Sequence, residues 1–385
     1  MKKIIIAPDS FKGTMDAHEV CQVISCAVKK FFADAEIRSI PLADGGEGMV
    51  EAYIKLLGGE RRSLCVSDPF GNPIQAVYGV LLDGTAVIEM ASCAGLPLVR
   101  EKNDPLHAST AGVGQMIKSA AAQGAENILI GIGGSATNDC GIGMAAELGY
   151  RFFGSKNEEL EPLACNLGEV SRIEKPESLP AVKISVACDV NNPLCGINGA
   201  TYVFGRQKGI SEFMLASVDE TMGHFADIIE RDLGVSIKTL SGSGAAGGMG
   251  AAMVAFLGAQ LNSGIDLLLD AIGFDDIIKD ADMIITGEGR IDGQSATGKV
   301  PVGVGLRAKR AKVPCIALCG AIGPQAELVY DYGITAMFSS VKDVATYEDI
   351  RENCTENLRF LSESVMKTLV VADEDVSSLR YNAIH

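Results

Sequence analysis

The start of the chain alternates between short apolar runs and longer stretches in which apolar residues recur at helical spacing. Lys3–Ala7 is a β-branched run that stops at Pro8, which is typical of a buried strand. Asp16–Phe32 carries apolar residues three and four positions apart and predicts a helix. Glu36–Leu42 and Gly48–Leu57 repeat the strand and the helix. This βαβα order predicts a parallel sheet.

The middle of the chain follows a different pattern, in which strands succeed one another directly. The segments Ser63–Val66, Ile74–Leu81 and Ala86–Met90 are predicted strands, separated by turn-forming Asp, Gly, Asn and Pro. Beyond them the pattern predicts a helix, two strands and a buried helix, over Thr110–Ala122, Asn127–Ile132, Ile184–Cys188 and Gly247–Leu261.

Strands and helices alternate again towards the C-terminus. The predicted strands are Met283–Thr286, Val313–Cys319 and Ala336–Ser339, and the predicted helices are Val300–Ala311, Pro324–Tyr332 and Tyr347–Val370. The two ends of the chain share a pattern that the middle lacks, which favours an α/β fold with one parallel-sheet domain built from both ends. Two or three domains in series are the alternative that the pattern leaves open.

Composition narrows the function classes. The net charge of −16, with no Lys/Arg run longer than two residues, argues against a nucleic-acid binder. No run of about 18 apolar residues occurs, so no membrane span is expected. The 11 cysteines form no CxxC pair and are odd in number, which favours a reduced, cytoplasmic compartment. A site for anionic substrates in so acidic a chain must carry its own positive charge.

Two glycine-rich polar loops follow the first two predicted strands, at the edge where open α/β sheets bind ligands. In the first loop, Ser10 can hydrogen-bond a ligand and Lys12 can reach a phosphate, although a capped turn also explains the segment. In the second, Asp44 and Glu47 lie among glycines, and such carboxylates suit Mg²⁺. Helix N-capping is the alternative explanation for these two acids.

Two loops in the middle of the chain carry further polar groups. The segment from Gly131 to Gly141 contains Ser135, Asn138 and Asp139, and its backbone amides can form an anion nest. Asp189 follows a predicted strand directly, where a carboxylate can act as a general base towards a substrate hydroxyl. An Asx-turn is the alternative explanation for Asp189.

Two loops match parts of nucleotide-binding motifs. Gly242–Gly247 fits GxGxxG, but the preceding stretch is a poor strand, so close helix packing or a phosphate cradle is favoured over a dinucleotide site. Gly293–Lys299 fits GxxxxGK, but Val300 stands where a P-loop needs Ser or Thr. A true P-loop is therefore not expected.

The second of these segments still has the chemistry of a phosphate site. Arg290, Lys299 and the start of the following helix can together hold a phosphate. Glu288 and Asp292 in the same segment can serve a metal ion.

The four histidines lie in none of these loops, so a Ser/His/Asp hydrolase is poorly supported. Lysines, an arginine and several carboxylates suit phosphoryl transfer, which needs charge neutralisation and a carboxylate near the attacking hydroxyl.

These loops, in this order, resemble the bacterial glycerate kinase family. The resemblance covers nearly the whole chain and rests on APDSFKG, PLADGGEG, DPFGNP, GIGGSATND, ACDVNNPL, FGRQKG, GSGAAGG and GEGRIDGQSATGKVP. It implies ATP, Mg²⁺ and D-glycerate, phosphorylated to 2-phosphoglycerate in a cleft between two α/β domains. One domain is expected to be Rossmann-like and to comprise residues 1–64 and 266–385, and an inserted mixed α/β domain is expected at 65–265. Cys140 and Ala111 depart from residues common in the family without removing a charged group.

The resulting hypothesis assigns a role to each candidate residue. Asp189 takes the proton from the C2 hydroxyl of glycerate, and Lys12 and Lys299 neutralise phosphate charge. Arg290 grips the glycerate carboxylate or a phosphate. The remaining candidates fall into two groups: Ser10, Ser135, Asn138 and Asp139 bind substrate, and Asp44, Glu47, Glu288 and Asp292 are the candidates for Mg²⁺.

Three alternatives remain at this level: a kinase for another small hydroxy acid, a dehydrogenase, and a metabolite-binding sensor without activity. The sequence also leaves open whether the protein is a homo-oligomer.

Overall fold

The computed structural model describes residues 1–42, 48–99, 104–343 and 346–373. Its strands in chain order are β1 (Lys3–Ile6), β2 (Glu36–Ser39), β3 (Gly59–Ser67), β4 (Pro73–Leu81), β5 (Ala86–Glu89), β6 (Asn127–Gly131), β7 (Arg151–Phe153), β8 (Arg172–Glu174), β9 (Lys183–Ala187), β10 (Gln260–Asn262), β11 (Met283–Thr286), β12 (Arg290–Ile291), β13 (Cys315–Cys319), β14 (Ala321–Ile322) and β15 (Ala336–Ser339).

The α-helices are α1 (Ala17–Phe31), α2 (Met49–Leu57), α3 (Ala91–Ala94), α4 (Leu96–Val99), α5 (Ala111–Ala122), α6 (Ile142–Glu147), α7 (Ala200–Phe204), α8 (Leu215–Leu233), α9 (Ala245–Leu257), α10 (Gly264–Ala271), α11 (Phe274–Ile278), α12 (Val300–Ala311), α13 (Tyr347–Glu352) and α14 (Cys354–Asp373). Short 3₁₀ helices lie at Ala164–Glu169, Arg206–Lys208, Glu212–Met214, Ser295–Thr297 and Ala326–Tyr332.

The chain divides into two compact units. Each unit contains a sheet and helices, which confirms the predicted α/β class. Unit 1 comprises Met1–Asp44 and Ile265–His385, and unit 2 comprises Gly45–Gly264. Unit 1 is thus built from both ends of the chain. Its first segment ends before α2 and β3, whereas the sequence placed that boundary after residue 64.

Unit 1 contains a five-stranded parallel sheet in the order β15-β13-β11-β1-β2. Numbered by their order along the chain, these strands read 2-1-3-4-5 from one edge, which is a doubly wound order. The reversal of direction occurs between β1 and β11, and ligands of such sheets bind outside the carboxyl ends of the strands at that point.

Both faces of this sheet are buried, which explains the uninterrupted apolar sequence of β1. Ile4 and Ile6 join a core cluster with residues of α1 and α14, whereas Ile5 is buried on the opposite face. Helix α12 packs on β11 and β13. Parallel strands covered on both faces lose the alternation of apolar and polar residues.

Unit 2 contains a six-stranded sheet in the order β10-β9-β6-β5-β4-β3. The strands from β10 to β5 pair in parallel, and β4 and β3 continue the sheet as an antiparallel hairpin. The parallel part aligns the carboxyl ends of β6 and β9 side by side, so the loops that follow them are neighbours.

Several elements differ from their predicted form. The helix predicted at Gly247–Leu261 ends at Leu257, and its last residues belong to β10. The segment predicted as a helix at Pro324–Tyr332 is 3₁₀, and the predicted terminal helix is divided into α13 and α14 at Asn353. The sequence analysis missed α8, although its buried face recurs at helical spacing (Val218, Met222, Phe225, Ala226, Ile229).

Among the residues that the structure describes, no helix has the length and apolar character required to cross a membrane.

An ionic cluster ties α12 to the helices before β11. The nearly buried guanidinium group of Arg307 lies 3.1 Å from Asp266, 2.7 Å from Asp270 and 3.2 Å from Asp275. Three acids on α10 and α11 therefore share one cation on α12.

We predict that Arg307→Met lowers the free energy of unfolding by about 1–3 kcal/mol, because three neighbouring carboxylates would lose their shared cation. Urea denaturation followed by circular dichroism measures this change. Arg310→Met is the matched control, because the exposed Arg310 lies on the same helix and is 4.0 Å from Asp275. A comparable loss in both variants would contradict the prediction.

Candidate active site

The loops after β1 and β11 approach each other at the point where the strand order of unit 1 reverses. The backbone N–H of Asp9 donates to the carbonyl oxygen of Gly287 at 2.8 Å. A Cβ atom at position 289 would lie only 3.2 Å from the Cα atom of Phe11, so glycine permits this close approach. The fold thus brings two loops that carry charged and polar side chains into direct contact, although they lie far apart along the chain.

A cavity of about 450 Å³ lies between these loops within unit 1. Its lining includes five residues predicted from the sequence, namely Ser10, Lys12, Glu288, Arg290 and Lys299. Three of the five are cations, in a chain whose net charge is −16. The cavity therefore carries the local positive charge that an anionic ligand requires.

Glu288 is one of two buried acids that line this cavity, the other being Asp9. Ser295 donates a hydrogen bond to one carboxylate oxygen, and Nζ of Lys299 lies 3.7 Å from the other. Burial raises the pKa of the Glu288 carboxyl, and the Ser295 hydrogen bond, Lys299 and Lys12 oppose that rise. Lys299 and Lys12 are therefore close enough to influence a charge at this position.

The second acid of the segment, Asp292, has local partners. Its carboxylate lies 3.2 Å from Nε of Arg290 and accepts the backbone N–H of Gln294 at 2.9 Å. Asp44 and Glu47 lie outside the described residues. Within the described ranges, no group of three or more His, Cys, Asp or Glu side chains is arranged to hold a metal ion.

The GxxxxGK segment does not form a P-loop. Strand β11 ends at Thr286, and β12 and a 3₁₀ turn precede α12. Lys299 is the N-cap residue of α12, and no side chain caps the first turn of that helix. The first turn contains Pro301, which has no N–H, and the N–H groups of Val302 and Gly303 donate to the carbonyl oxygen of Lys299. The ammonium group of Lys299 is therefore the main positive charge at this helix start.

In unit 2, the loops after β6 and β9 line a second cavity of about 220 Å³. Its lining includes the predicted residues Ser135 and Asp189, together with Lys208. Asp189 is half-buried, and its Oδ1 atom accepts the backbone N–H of Gly264 at 2.8 Å. The carboxylate is therefore held two residues beyond the end of β9, and its role as a general base stays a prediction.

Lys208 is a candidate that the sequence analysis missed. It is only 2% exposed, and its Nζ atom donates to Oγ of Ser135 and to the carbonyl oxygen of Thr137, each at 2.7 Å. Burial lowers the pKa of the Lys208 ammonium group to about 7, and the charge of Asp139 opposes that shift. The FGRQKG motif was visible in the sequence, but nothing in it indicated that its lysine is buried.

Asn138 and Asp139, predicted as substrate-binding residues, are fully buried in the same loop. Oδ2 of Asp139 accepts the backbone N–H of Thr110 at 2.9 Å and its hydroxyl at 2.7 Å. Nδ2 of Asn138 donates to the hydroxyl of Thr201 at 3.3 Å. These contacts hold the loop in the interior of unit 2, and a direct contact of either residue with substrate stays a prediction.

The GxGxxG segment packs against this loop. Ala246, Gly247 and Gly248 have φ angles of 54°, 70° and 87°. A Cβ atom at position 247 would lie 2.7 Å from Cα of Asn138 and 3.0 Å from Nζ of Lys208. Residues 234–244, all described, form no strand before it. The glycines therefore serve close packing, as the sequence favoured, and the left-handed backbone at Gly247 explains why glycine is required there.

Comparison with known proteins gives a consistent result over the full chain. A family model described as "Glycerate kinase family" matches residues 4–370. The chain is 43% identical to a glycerate kinase of Bacillus subtilis over 375 residues, which cover 96% of this chain and 98% of the relative. It is also 43% identical to a glycerate 2-kinase of Escherichia coli over 374 residues, with the same coverage of 96% and 98%.

A solved structure agrees with these relatives. The crystal structure of a Salmonella typhimurium LT2 protein described as glycerate kinase 2 superposes with a TM-score of 0.84 at 41% sequence identity, and covers 97% of this chain and 99% of that chain. The resemblance seen in the motifs is thus confirmed over the length of the chain. The protein belongs to the glycerate kinase family.

Proposed function

We propose that this protein transfers the γ-phosphoryl group of ATP to the C2 hydroxyl of D-glycerate, giving ADP and 2-phosphoglycerate. The observation that carries the proposal is the group of three cations in the unit 1 cavity of an otherwise acidic protein. Its relatives support the substrate, since those from Bacillus subtilis and Escherichia coli are named glycerate kinase and glycerate 2-kinase.

The unit 1 cavity is the proposed site for the nucleotide phosphates. Lys12 and Lys299 bring ammonium groups to it, and such charges bind phosphate oxygens strongly. Arg290, whose side chain is 61% exposed, can bind a phosphate through two N–H groups. Cavities for drug-sized ligands measure about 300–1,000 Å³, and the volume of about 450 Å³ falls in that range.

Glu288 fits the way in which proteins hold Mg²⁺ beside a nucleotide. Mg²⁺ usually binds one or two carboxylates together with substrate phosphates and water, and Glu288 is a carboxylate that lies among the cations of the cavity, which Asp9 also lines. When bound, Mg²⁺ neutralises negative charge that develops on the phosphates. Asp292, Asp44 and Glu47 remain further candidates from the sequence.

The unit 2 cavity is the proposed site for glycerate. Its volume of about 220 Å³ suits a small acid better than a nucleotide. Asp189 accepts the proton of the C2 hydroxyl while that oxygen forms its bond to phosphorus and the bond from phosphorus to the ADP oxygen breaks. Ser135, fixed by the buried residues beneath it, orients the bound acid.

We expect the purified protein to release ADP from ATP when glycerate is added, and to release much less with tartronate or lactate. A coupled assay for ADP over this panel measures the preference. ADP release with a different hydroxy acid, and none with glycerate, would reassign the substrate. Binding of glycerate without ADP release would favour a sensor, and an NAD(P)H-dependent absorbance change would favour a dehydrogenase.

Asp189→Asn should lower kcat by at least about 10²-fold, because the amide cannot take the proton but can still accept the Gly264 N–H. Steady-state kinetics with both substrates measures the effect. Asp219→Asn is the matched control, since Asp219 also accepts a backbone N–H, from Gly196 at 2.9 Å. A kcat within about threefold of the wild type for Asp189→Asn would refute its role as the base.

Lys299→Met should raise KM for ATP by about 10–100-fold, with a smaller effect on KM for glycerate, because a charge-assisted hydrogen bond contributes about 1.5–3 kcal/mol. Initial-rate kinetics over a matrix of both substrate concentrations separates the two KM values. Lys309→Met is the control, because Lys309 lies on the same helix and its Nζ donates to the carbonyl oxygen of Asp331. An unchanged KM for ATP in Lys299→Met would exclude Lys299 from the nucleotide site.

A further inference from the structure

Lys208 is a buried cation whose hydrogen-bonding partners are neutral. Its two acceptors are the Ser135 hydroxyl and the Thr137 carbonyl, and among the described residues no carboxylate forms an ion pair or hydrogen bond with its Nζ atom. An ammonium group has three N–H donors, so these two acceptors leave one donor for another group. Lys208 lines the cavity that also contains Asp189.

A buried ammonium group with no carboxylate in contact is costly, even though the nearby charge of Asp139 favours it. Lysine is almost never fully buried unless it is paired, and the loss of hydration disfavours the charged form by several kcal/mol. A hydroxyl and a carbonyl oxygen recover only part of that loss. The arrangement is favourable when an anion enters the cavity and supplies the missing charge.

The loop that Lys208 contacts does not need a cation to hold it. Asp139 already binds Thr110, the backbone N–H of Gly141 at 3.1 Å and that of Gly143 at 3.4 Å, and Asn138 binds Thr201. A purely structural tie to Ser135 and Thr137 could be made by any neutral donor, without the cost of burying a charge. The charge of Lys208 therefore points to a ligand.

We infer that the ammonium group of Lys208 is the counter-ion for the carboxylate of the small acid that binds in the unit 2 cavity. This inference rests on the proposed function in taking that acid to be glycerate. Lys208 and Asp189 line the same small cavity, so the carboxylate is held by the lysine while the hydroxyl faces the aspartate. This assignment leaves Arg290 for a phosphate.

The geometry also predicts that glycerate binding takes up a proton at alkaline pH. Because burial lowers the pKa of free Lys208 to about 7, most of this group is neutral at pH 8. A bound carboxylate favours the charged form and raises that pKa. The affinity for glycerate should therefore be highest below pH 7 and should fall as the pH rises through that value.

Other titratable groups face this region. They are Asp139 and Cys140 in the loop after β6, and Cys188 and Asp189 at the end of β9; on the short helix of Lys208 itself, Arg206 is paired with Glu212 at the surface. Burial raises the pKa of the thiols of Cys140 and Cys188, so both stay neutral between pH 6 and 8. Burial also raises the pKa of the Asp139 carboxyl, which makes Asp139 the alternative source of a proton change.

The first experiment compares kinetic constants of variants. Lys208→Met should raise KM for glycerate by about 10–100-fold and leave KM for ATP within about twofold, because it removes a charge-assisted contact to one substrate. Lys208→Arg keeps the charge and should recover part of the affinity. Lys238→Met is the matched control, since Lys238 lies in the same unit and pairs with Asp227 at 2.7 Å. An unchanged KM for glycerate in Lys208→Met would overturn the inference.

The second experiment needs no variant of uncertain stability. Glycerate is titrated into the wild-type protein by calorimetry at pH 6 and pH 8, in buffers of different ionisation enthalpy. We expect uptake of about 0.5–0.9 proton per glycerate at pH 8 and close to zero at pH 6. Glycerol, which lacks the carboxylate, should cause none. Inorganic phosphate tests whether the cation accepts a phosphoryl group instead, and proton uptake with phosphate but not with glycerate would overturn the assignment.

The outcomes separate this inference from the proposed function. ADP release with glycerate, together with no proton uptake on glycerate binding, would refute the role of Lys208 and leave the kinase activity standing. Proton uptake that persists in Lys208→Met would assign the proton to Asp139 and would also refute the role of Lys208. Absence of ADP release from the wild type would refute the proposed function, whereas proton-linked glycerate binding in that case would still support the role of Lys208.

Discussion

A protein with a net charge of −16 that binds anionic substrates must concentrate positive charge where those substrates bind. Parallel sheets meet this requirement, because they bring the carboxyl ends of all their strands, and the loops that follow, to one edge. In unit 1 the adjacency of β1 and β11 brings Lys12 to the same cavity as Arg290 and Lys299. In unit 2 the adjacency of β6 and β9 brings Ser135 close to Asp189.

The cations that provide positive charge for substrate binding are buried to different degrees in the two units. The cations of unit 1 are partly or largely exposed, which suits a nucleotide whose phosphates remain partly hydrated. The cation of unit 2 is removed from water and lies in a cavity of about 220 Å³. Electrostatic interactions are stronger in such a place, and an unpaired charge is also more costly there. We therefore attribute recognition of a small carboxylate to Lys208.

Much of the unit 1 cavity could be predicted from the sequence because the relevant signals are local. The candidates lie in two loops that each follow a short apolar strand, β1 or β11. The βα alternation implies a parallel sheet, which places such loops together. The signals that exclude a P-loop are also local, namely Val300 and the end of the strand at Thr286. Individual roles for Lys12, Glu288 and Arg290 remain proposals, because proximity to a cavity does not identify the group that each one binds.

The cavity of unit 2 was harder to predict from the sequence, because its features depend on packing. Lys208 follows no strand, and its burial depends on Gly247, whose left-handed backbone lies against the lysine nitrogen. Asn138 and Asp139 have the chemistry of ligand-binding residues, but the fold directs them into the interior, towards Thr201 and Thr110. A polar side chain in a glycine-rich loop can face either a ligand or the core, and the sequence pattern is the same in both cases.

The central claim, phosphorylation of glycerate at C2, is tested most directly by ³¹P nuclear magnetic resonance of the product formed from ATP and D-glycerate. A phosphate on C2 has one neighbouring carbon-bound proton, so without proton decoupling its signal splits into a doublet. A phosphate on C3 has two such protons, and its signal splits into a triplet. The account predicts a new phosphomonoester doublet that grows with ADP. A triplet would contradict phosphorylation at C2. Hydrolysis of ATP to ADP and inorganic phosphate, with no new phosphomonoester signal, would also contradict it.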